Sequence, residues 1–121
     1  MKTLLLGLAI MFSGILSAQD VYTQENTEIY EVEATRITQD YNKQLSLGGM
    51  QFALFTKKVQ EFLIKRDKIE EGYTGKDKLD MLYRMQKRET LEMKDILTRP
   101  QFKVYRRIKS DIQPIAVVEV K

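Results

Sequence analysis

The stretch Leu97-Thr98-Arg99-Pro100-Gln101-Phe102 has the pattern of a helix start. Thr98 is a favourable N-cap, because its hydroxyl can accept a hydrogen bond from the backbone N–H of Gln101. The Gln101 side chain can in turn accept a bond from the N–H of Thr98, which completes a capping box. Leu97 and Phe102 flank the cap and can close a hydrophobic staple. The stretch therefore predicts that a helix begins here.

A related stretch stands fifty residues earlier, at Leu47-Gly48-Gly49-Met50-Gln51-Phe52. Leu47, Gln51 and Phe52 recur in the same frame. Gly48 takes the place of the threonine as an acceptable but weaker cap. We interpret the pair as a helix–junction–helix unit used twice, with a degenerate first copy; a chance coincidence is the alternative. Further along, Leu54 corresponds to Val104, Phe55 to Tyr105 and Phe62 to Ile112.

Apolar residues recur at steps of three and four along most of the chain, which predicts amphipathic helices. The predicted helices span residues 27–45, 49–71 and 75–96, and a fourth begins at Thr98 and is ended by Pro114. Their apolar stripes are Tyr30, Ala34, Ile37, Tyr41 and Leu45; Phe52, Phe55, Val59, Phe62, Leu63 and Ile69; Leu79, Leu82, Met85, Met93 and Ile96; and Phe102, Tyr105, Ile108 and Ile112.

The second and third helices are similar in length and separated by a short turn, which favours an antiparallel hairpin. Gly72 is expected to end the second helix in the left-handed conformation, and Thr74 to cap the third. The tail at 114–121 is β-prone by composition and is frayed, packed on the helices or paired with another chain. The predicted fold class is all-α: about four amphipathic helices in a thin, hairpin-based layer, with a flexible or β-prone C-terminal tail.

Residues 1–18 have the layout of a secretory signal peptide, with Lys2 as a basic start, an apolar run, and Ala18 as a small residue before the cut. Cleavage there is expected to leave a flexible lead-in at 19–26 and a helical domain at 27–113. An uncleaved membrane anchor is the alternative, but the apolar run is short for a span of about 20 residues. The sequence therefore predicts export, to the periplasm or another bacterial envelope compartment.

The stretch Leu97-Thr98-Arg99-Pro100-Gln101 resembles the LTxxQ motif of the Spy and CpxP family of small periplasmic proteins, and Leu47-Gly48-Gly49-Met50-Gln51 resembles it without the threonine. The resemblance implies a thin, curved, all-helical homodimer whose members bind unfolding proteins without ATP or act in envelope-stress signalling. The residues of the two motifs are expected to determine the fold rather than to contact clients: Leu47, Gly48, Gln51, Phe52, Leu97, Thr98, Gln101 and Phe102.

Charge is unevenly distributed along the chain, whose formal net charge is +3. Residues 19–40 hold six acidic residues and one basic residue, whereas residues 41–121 hold eighteen basic and eleven acidic residues. An acidic arm on a basic body suggests self-association or acidic partners. Four basic residues on one side of the fourth helix are candidate protein-binding residues, with an ordinary solvated face as the alternative: Arg99, Lys103, Arg106 and Arg107.

The chain has no histidine and no cysteine, which excludes the usual nucleophilic relays and most transition-metal sites. Glu70-Glu71 and Asp77-Asp80 are carboxylate clusters that we expect to be solvated. The sequence contains no nucleic-acid-binding motif and no glycine loop of phosphate-binding form. We therefore predict no enzymatic activity, no cofactor, no metal site and no nucleic-acid partner.

Three kinds of function agree with these features. The first is an ATP-independent binder of unfolded proteins, chaperone-like or accessory to an envelope-stress response. The second is a regulatory or structural protein with one dedicated envelope partner. The third is a peripheral protein that binds an anionic membrane surface through its basic helix. The sequence does not rank the first two.

Overall fold

A computed structural model describes residues 27–115, which form four helices and contain no strand. The all-α prediction is confirmed for this part of the chain. The predicted signal peptide at 1–18, the lead-in at 19–26 and the tail residues 116–121 lie outside the described residues. The helices are α1 at residues 27–45, α2 at Gly49–Gly72, α3 at Gly75–Met93 and α4 at Arg99–Ile112.

Three aromatic rings form the centre of the core and join α1, α2 and α4. Tyr41, Phe55 and Tyr105 are fully buried, and their ring centroids lie 5.1, 5.1 and 5.7 Å apart. Such contacts add about 0.5–1.5 kcal/mol per pair to the burial of the rings. The apolar stripes of the four helices complete the core around them with Ala34, Ile37, Leu45, Val59, Leu63, Met93, Leu97 and Ile108.

The predicted hairpin of α2 and α3 is present, with Tyr73 and Thr74 in extended conformation between the helices. The expectation of a left-handed residue at Gly72 is wrong, since the positive φ of 56° falls on Gly75. Gly72 still belongs to the helix, and the N–H of Tyr73 bonds to the carbonyl of Ile69 at 3.0 Å. The chain therefore leaves α2 without a left-handed step. Thr74 is the N-cap residue, but its side chain makes no capping hydrogen bond.

Helix α3 is shorter than predicted, because it ends at Met93 rather than Ile96. Over residues 94–96, each backbone N–H bonds to the carbonyl three residues earlier at 3.1–3.3 Å. This tighter 3₁₀ pattern is common at helix ends, and it turns the chain so that Leu97 enters the core with 8% of its surface exposed. Leu79 was predicted on the apolar stripe but is 37% exposed, because it lies near the tip of the hairpin.

The two repeated junctions are bonded to each other through their glutamines. The Gln51 amide donates to Oε1 of Gln101 at 2.7 Å, and the Gln101 amide donates to Oε1 of Gln51 at 3.1 Å. Gln51 also donates to the carbonyl of Ile96 at 3.1 Å, and Gln101 to that of Leu45 at 3.2 Å. The starts of α2 and α4 therefore lie side by side, a contact that neither motif predicts by itself.

Each glutamine also caps its own helix. The N–H of Gln101 donates to Oγ1 of Thr98 at 3.4 Å, and the N–H of Thr98 donates to Oε1 of Gln101 at 2.9 Å. Gly48 has no side chain, so the first junction has only the bond from its N–H to Oε1 of Gln51, at 3.0 Å. One junction is therefore a complete capping box and the other is half of one. Of the apolar motif residues, Leu97 lies in the core, Leu47 and Phe102 pack against it and Phe52 is half-buried.

Candidate protein-binding surface

An open groove of about 730 Å³ runs along the outer side of α4. Its apolar residues are Leu97 and Phe102, and all its other lining residues are cationic. We call it the cationic groove. All four candidate residues from the sequence lie in it, and a lysine just beyond α3 joins them: Lys94, Arg99, Lys103, Arg106 and Arg107.

Helical spacing brings these cations together. Arg99, Lys103 and Arg106 follow one another at steps of four and three, so they share one face of α4, and all three are exposed. The ring of Phe102 lies among them, with its centroid 6.0 Å from Cζ of Arg106 and 5.6 Å from Nζ of Lys94. Both distances are within the range of a cation–π contact. The groove thus combines an aromatic face with positive charge.

The cations of this groove have no carboxylate partner within residues 27–115, since none of the ion pairs in that range includes them. Some basic residues on α2, by contrast, are paired with carboxylates. Nζ of Lys58 lies 2.8 Å from a carboxylate oxygen of Glu92, and the Arg66 guanidinium lies 3.5 Å from Glu33. The cationic groove therefore brings together five cations without a carboxylate partner among residues 27–115, which makes its local potential positive.

A second groove of about 720 Å³ lies between α3 and α4, and we call it the α3/α4 groove. It is continuous with the cationic groove, because Lys94, Phe102 and Arg106 line both. Its apolar side chains include Tyr83 and Leu91, which are 51% and 57% exposed. The two grooves therefore form one surface, with cationic side chains at one end and accessible apolar side chains along the rest.

A buried ion pair joins α3 to α4 beside this groove. Nζ of Lys109 donates to Oε1 of Glu89 at 2.8 Å and to the hydroxyl oxygen of Tyr105 at 2.7 Å. The side chains of Glu89 and Lys109 are 1% and 10% exposed. Burial lowers the pKa of Lys109, while the neighbouring Glu89 carboxylate opposes that shift. Burial raises the pKa of Tyr105, and Glu89 adds to this effect.

The polar network continues to the end of α4 through Gln113. The hydroxyl of Tyr41 donates to Oε1 of Gln113 at 2.6 Å, and the Gln113 amide donates to Oε2 of Glu89 at 3.5 Å. The Gln86 amide donates to the backbone carbonyl of Gln113 at 3.2 Å. Burial, with a smaller contribution from Glu89, raises the pKa of the Tyr41 hydroxyl. Within residues 27–115, every buried side-chain N or O atom has a hydrogen-bond partner.

The sequence pattern did not predict this network, although it contains a signal for part of it. Glu89 falls on the apolar stripe of α3, midway between Met85 and Met93. A carboxylate at such a position requires a partner, because burying an unpaired charge is costly. Lys109 follows Tyr105 by four residues and therefore shares its face. These spacings indicate two buried charges, but they do not indicate that the two meet.

The carboxylate clusters noted in the sequence lie apart from the grooves. Glu70, Glu71, Asp77 and Asp80 are all exposed around the tip of the hairpin. Within residues 27–115, no three or more potential metal-ligating side chains come together. The two grooves expose cationic, aromatic and apolar side chains. Together these side chains are suited to binding another protein.

Comparisons with protein-family models, with curated proteins and with solved structures gave no match. Among residues 27–115, no helix has the length and apolar character needed to cross a membrane. The geometry of the two grooves is therefore the basis for assigning a function.

Proposed function

We propose that this chain is an exported, ATP-independent protein-binding module of the Spy and CpxP type, chaperone-like or accessory to an envelope-stress response. The observation that carries the proposal is the cationic groove, whose cations lack carboxylate partners in residues 27–115 and adjoin the exposed side chains of Tyr83 and Leu91. Charge attracts a partner before contact, and apolar surface then holds the segments that unfolding exposes.

The form of the surface supports weak and reversible binding. Release without an energy source requires modest affinity, composed of many small contacts. Exposed charges act over about 8 Å at physiological ionic strength. Apolar contact then adds about 25 cal/mol for each Å² of apolar area removed from water. Both grooves lie open along helix surfaces, so an extended segment can enter and leave from the side.

The proposal includes a homodimer, which the outer face of α1 supports. Ile29 and Val32 are 64% and 72% exposed there, and the flanking Glu28 and Glu31 are also exposed. A face with these acidic and accessible apolar residues can associate with the basic body of a second copy. The proposal also includes export, which the signal-peptide layout of residues 1–18 supports.

The test is light scattering of several unrelated denatured clients without nucleotide. The variant reverses charge in the cationic groove through Arg99→Glu, Lys103→Glu, Arg106→Glu and Arg107→Glu. Client capture by this variant should be slower by about tenfold or more, because electrostatic attraction accelerates association by at least that factor. Wild-type capture should also weaken as salt is added.

A matched control reverses four exposed lysines elsewhere, at Lys43, Lys57, Lys68 and Lys76. This control changes net charge by the same amount and should capture clients nearly as fast as the wild type. Circular dichroism establishes that both variants fold. Equal capture by all three proteins would show that the cationic groove is only a solvated face.

The other two functions predict different results in the same experiment. A protein with one dedicated partner protects none of the unrelated clients, even as the wild type. A peripheral membrane protein also protects none, but it binds vesicles containing phosphatidylglycerol and loses that binding with the cationic-groove reversal. Protection of several clients in the absence of vesicles supports the proposal over both.

A further inference from the structure

The α3/α4 groove begins where the described chain ends. Gln113, Pro114 and Ile115 all line it, so residue 116 continues from the edge of the groove. The groove then extends back along α4 to Arg106 and Phe102. Any segment that follows Ile115 therefore starts beside exposed apolar side chains.

The following segment is long enough to run along the groove. Residues 116–121 add six residues, which reach about 20 Å when extended at 3.3–3.6 Å each. From Gln113 back to Arg106, α4 rises only about 10 Å at 1.5 Å per residue. After a reversal at Pro114, the segment can therefore reach the cations at the other end.

Along its length the segment has apolar side chains first and an acidic side chain after them. The groove has apolar side chains and then cationic ones in the same order. Val117, Val118 and Val120 supply apolar side chains, and they come within reach of Tyr83 and Leu91. Three extended residues beyond Ile115 span about 10 Å, close to the rise of α4 from Gln113 back to Arg106. Leu91 lies along this stretch, because Glu89 bonds to Lys109 and Lys94 lines the groove together with Arg106. Extended backbone directs alternate side chains to opposite sides, so valines can face the groove while an acidic neighbour faces its rim.

The acidic residue of the segment is Glu119, one position farther along. Lys94 and Arg106 line that end of the groove, 5.6 Å and 6.0 Å from the ring centroid of Phe102. Both cations lack a carboxylate partner within residues 27–115. The acidic residue of the segment and the cations of the groove are therefore complementary in charge, in addition to the apolar complementarity.

We propose that residues 116–121 occupy the α3/α4 groove of their own chain in extended conformation and cover Tyr83 and Leu91. The segment then competes with clients for the same apolar surface, so a client must displace it. This competition rests on the proposed function, whereas the docking itself does not. The occupant is intramolecular, because the segment is attached at the groove's edge and its effective concentration there is high.

The absence of cysteine from the chain allows a direct test by disulfide formation. The variant Val118→Cys/Leu91→Cys should form an intramolecular disulfide, which requires Cα atoms within about 4.4–6.8 Å. The matched control Val118→Cys/Leu54→Cys places the second thiol at an exposed leucine of α2, outside the groove. The Leu91→Cys pair should close severalfold faster than the control. Equal rates would overturn the proposal, and so would a predominance of disulfide-linked dimers.

Truncation after Ile115 provides a second readout without introduced thiols. The shortened chain should bind more of an apolar dye than the full chain, and Leu91→Ser should abolish most of that gain. Unchanged dye binding would overturn the proposal. If both readouts show docking while the wild type protects no client, the proposed function is wrong, but the docking of residues 116–121 is supported.

Discussion

The two ends of α4 are fixed in different ways. At the start, Thr98 and Gln101 bond to each other across three residues of sequence, in a position open to solvent. At the end, Lys109 and Gln113 bond to partners on α1 and α3, twenty to seventy-two residues away along the chain. The first arrangement is local and the second depends on the packed core.

The cap at the start of α4 mainly stabilises the helix, whereas the long-range bonds at its end mainly position it against α1 and α3. A cap contributes about 1 kcal/mol and acts on α4 even before tertiary contacts form. A buried ion pair contributes little net stability over an apolar pair, but losing one partner is costly, because the other charge remains buried. The end of α4 therefore depends on a buried network, whereas its start combines a short capping motif with the bonds from Gln101 to Gln51 and to the carbonyl of Leu45.

Glu89→Ala should have the largest effect of any substitution considered, because it leaves the Lys109 ammonium buried without its carboxylate. Breaking such a pair costs about 3–5 kcal/mol. The denaturant midpoint should fall at an unchanged slope. As a control, Glu92→Ala removes ion pairs with Lys58 and Arg88 in which Glu92 is 27% exposed, and it should cost below about 1 kcal/mol. Similar losses from both would contradict the importance of burial.

The deficit of Glu89→Ala should also shrink as pH rises. Burial holds the pKa of Lys109 below its ordinary 10.5, and Glu89 opposes that shift. Without Glu89 the folded-state pKa falls further, so the unfolded chain binds more protons between that value and 10.5. The contribution of Lys109 to the free energy of unfolding of the variant therefore rises with pH between these two values. The difference between wild type and variant should be smaller at about pH 9 than at about pH 7, and Lys109→Met should remove the trend.

Gln101→Ala should have the next largest effect, because it removes both the cap acceptor and the link to the other junction. The expected loss is about 1–3 kcal/mol, because several partly exposed hydrogen bonds that contribute about 0.5–1.5 kcal/mol each are lost. Gln51→Ala should cost a similar amount. The double variant should lose less than the sum, with a coupling of about 0.5–3 kcal/mol, since the two amides bond to each other. Strictly additive losses would show that each junction acts alone.

The smallest effects should come from the caps themselves. Thr98→Ala should cost about 0.5–2 kcal/mol. Gly48→Thr should gain a few tenths of a kcal/mol by completing the half-formed box. The φ of Gly48 is −68°, and a Cβ there would meet only Oε1 of Gln51 at 3.8 Å, an ordinary contact. Gly48→Ala is the control that adds the Cβ without the hydroxyl. A threonine no more stable than the alanine would contradict the capping role of the hydroxyl.

Much of the fold could be predicted because its signals are periodic or local. The stripe from Ala34 to Leu45 is buried as expected, and α4 begins after Thr98. The errors lie at helix ends: α3 ends at Met93 instead of Ile96, and the positive φ near the hairpin turn falls on Gly75 instead of Gly72. Either glycine can adopt a positive φ, so residue type alone did not decide between them.

The candidate surface could be predicted only in part, for a similar reason. Helical spacing was enough to group Arg99, Lys103 and Arg106, because residues four and three apart share a face whatever the tertiary fold. The sequence did not indicate that Lys94 completes the groove. Nor did it indicate which basic residues are neutralised, since the pairing of Lys58 with Glu92 links two helices.

The sequence by itself determined the four helices, the two junctions and the cationic side of α4. Each of these depends on residues within a few positions of one another, where chain geometry alone controls the distance. Only the tertiary structure decided that Gln51 meets Gln101 and that Glu89 meets Lys109. These pairs join residues fifty and twenty positions apart, and their side chains are brought together only when the apolar stripes of all four helices pack around one core.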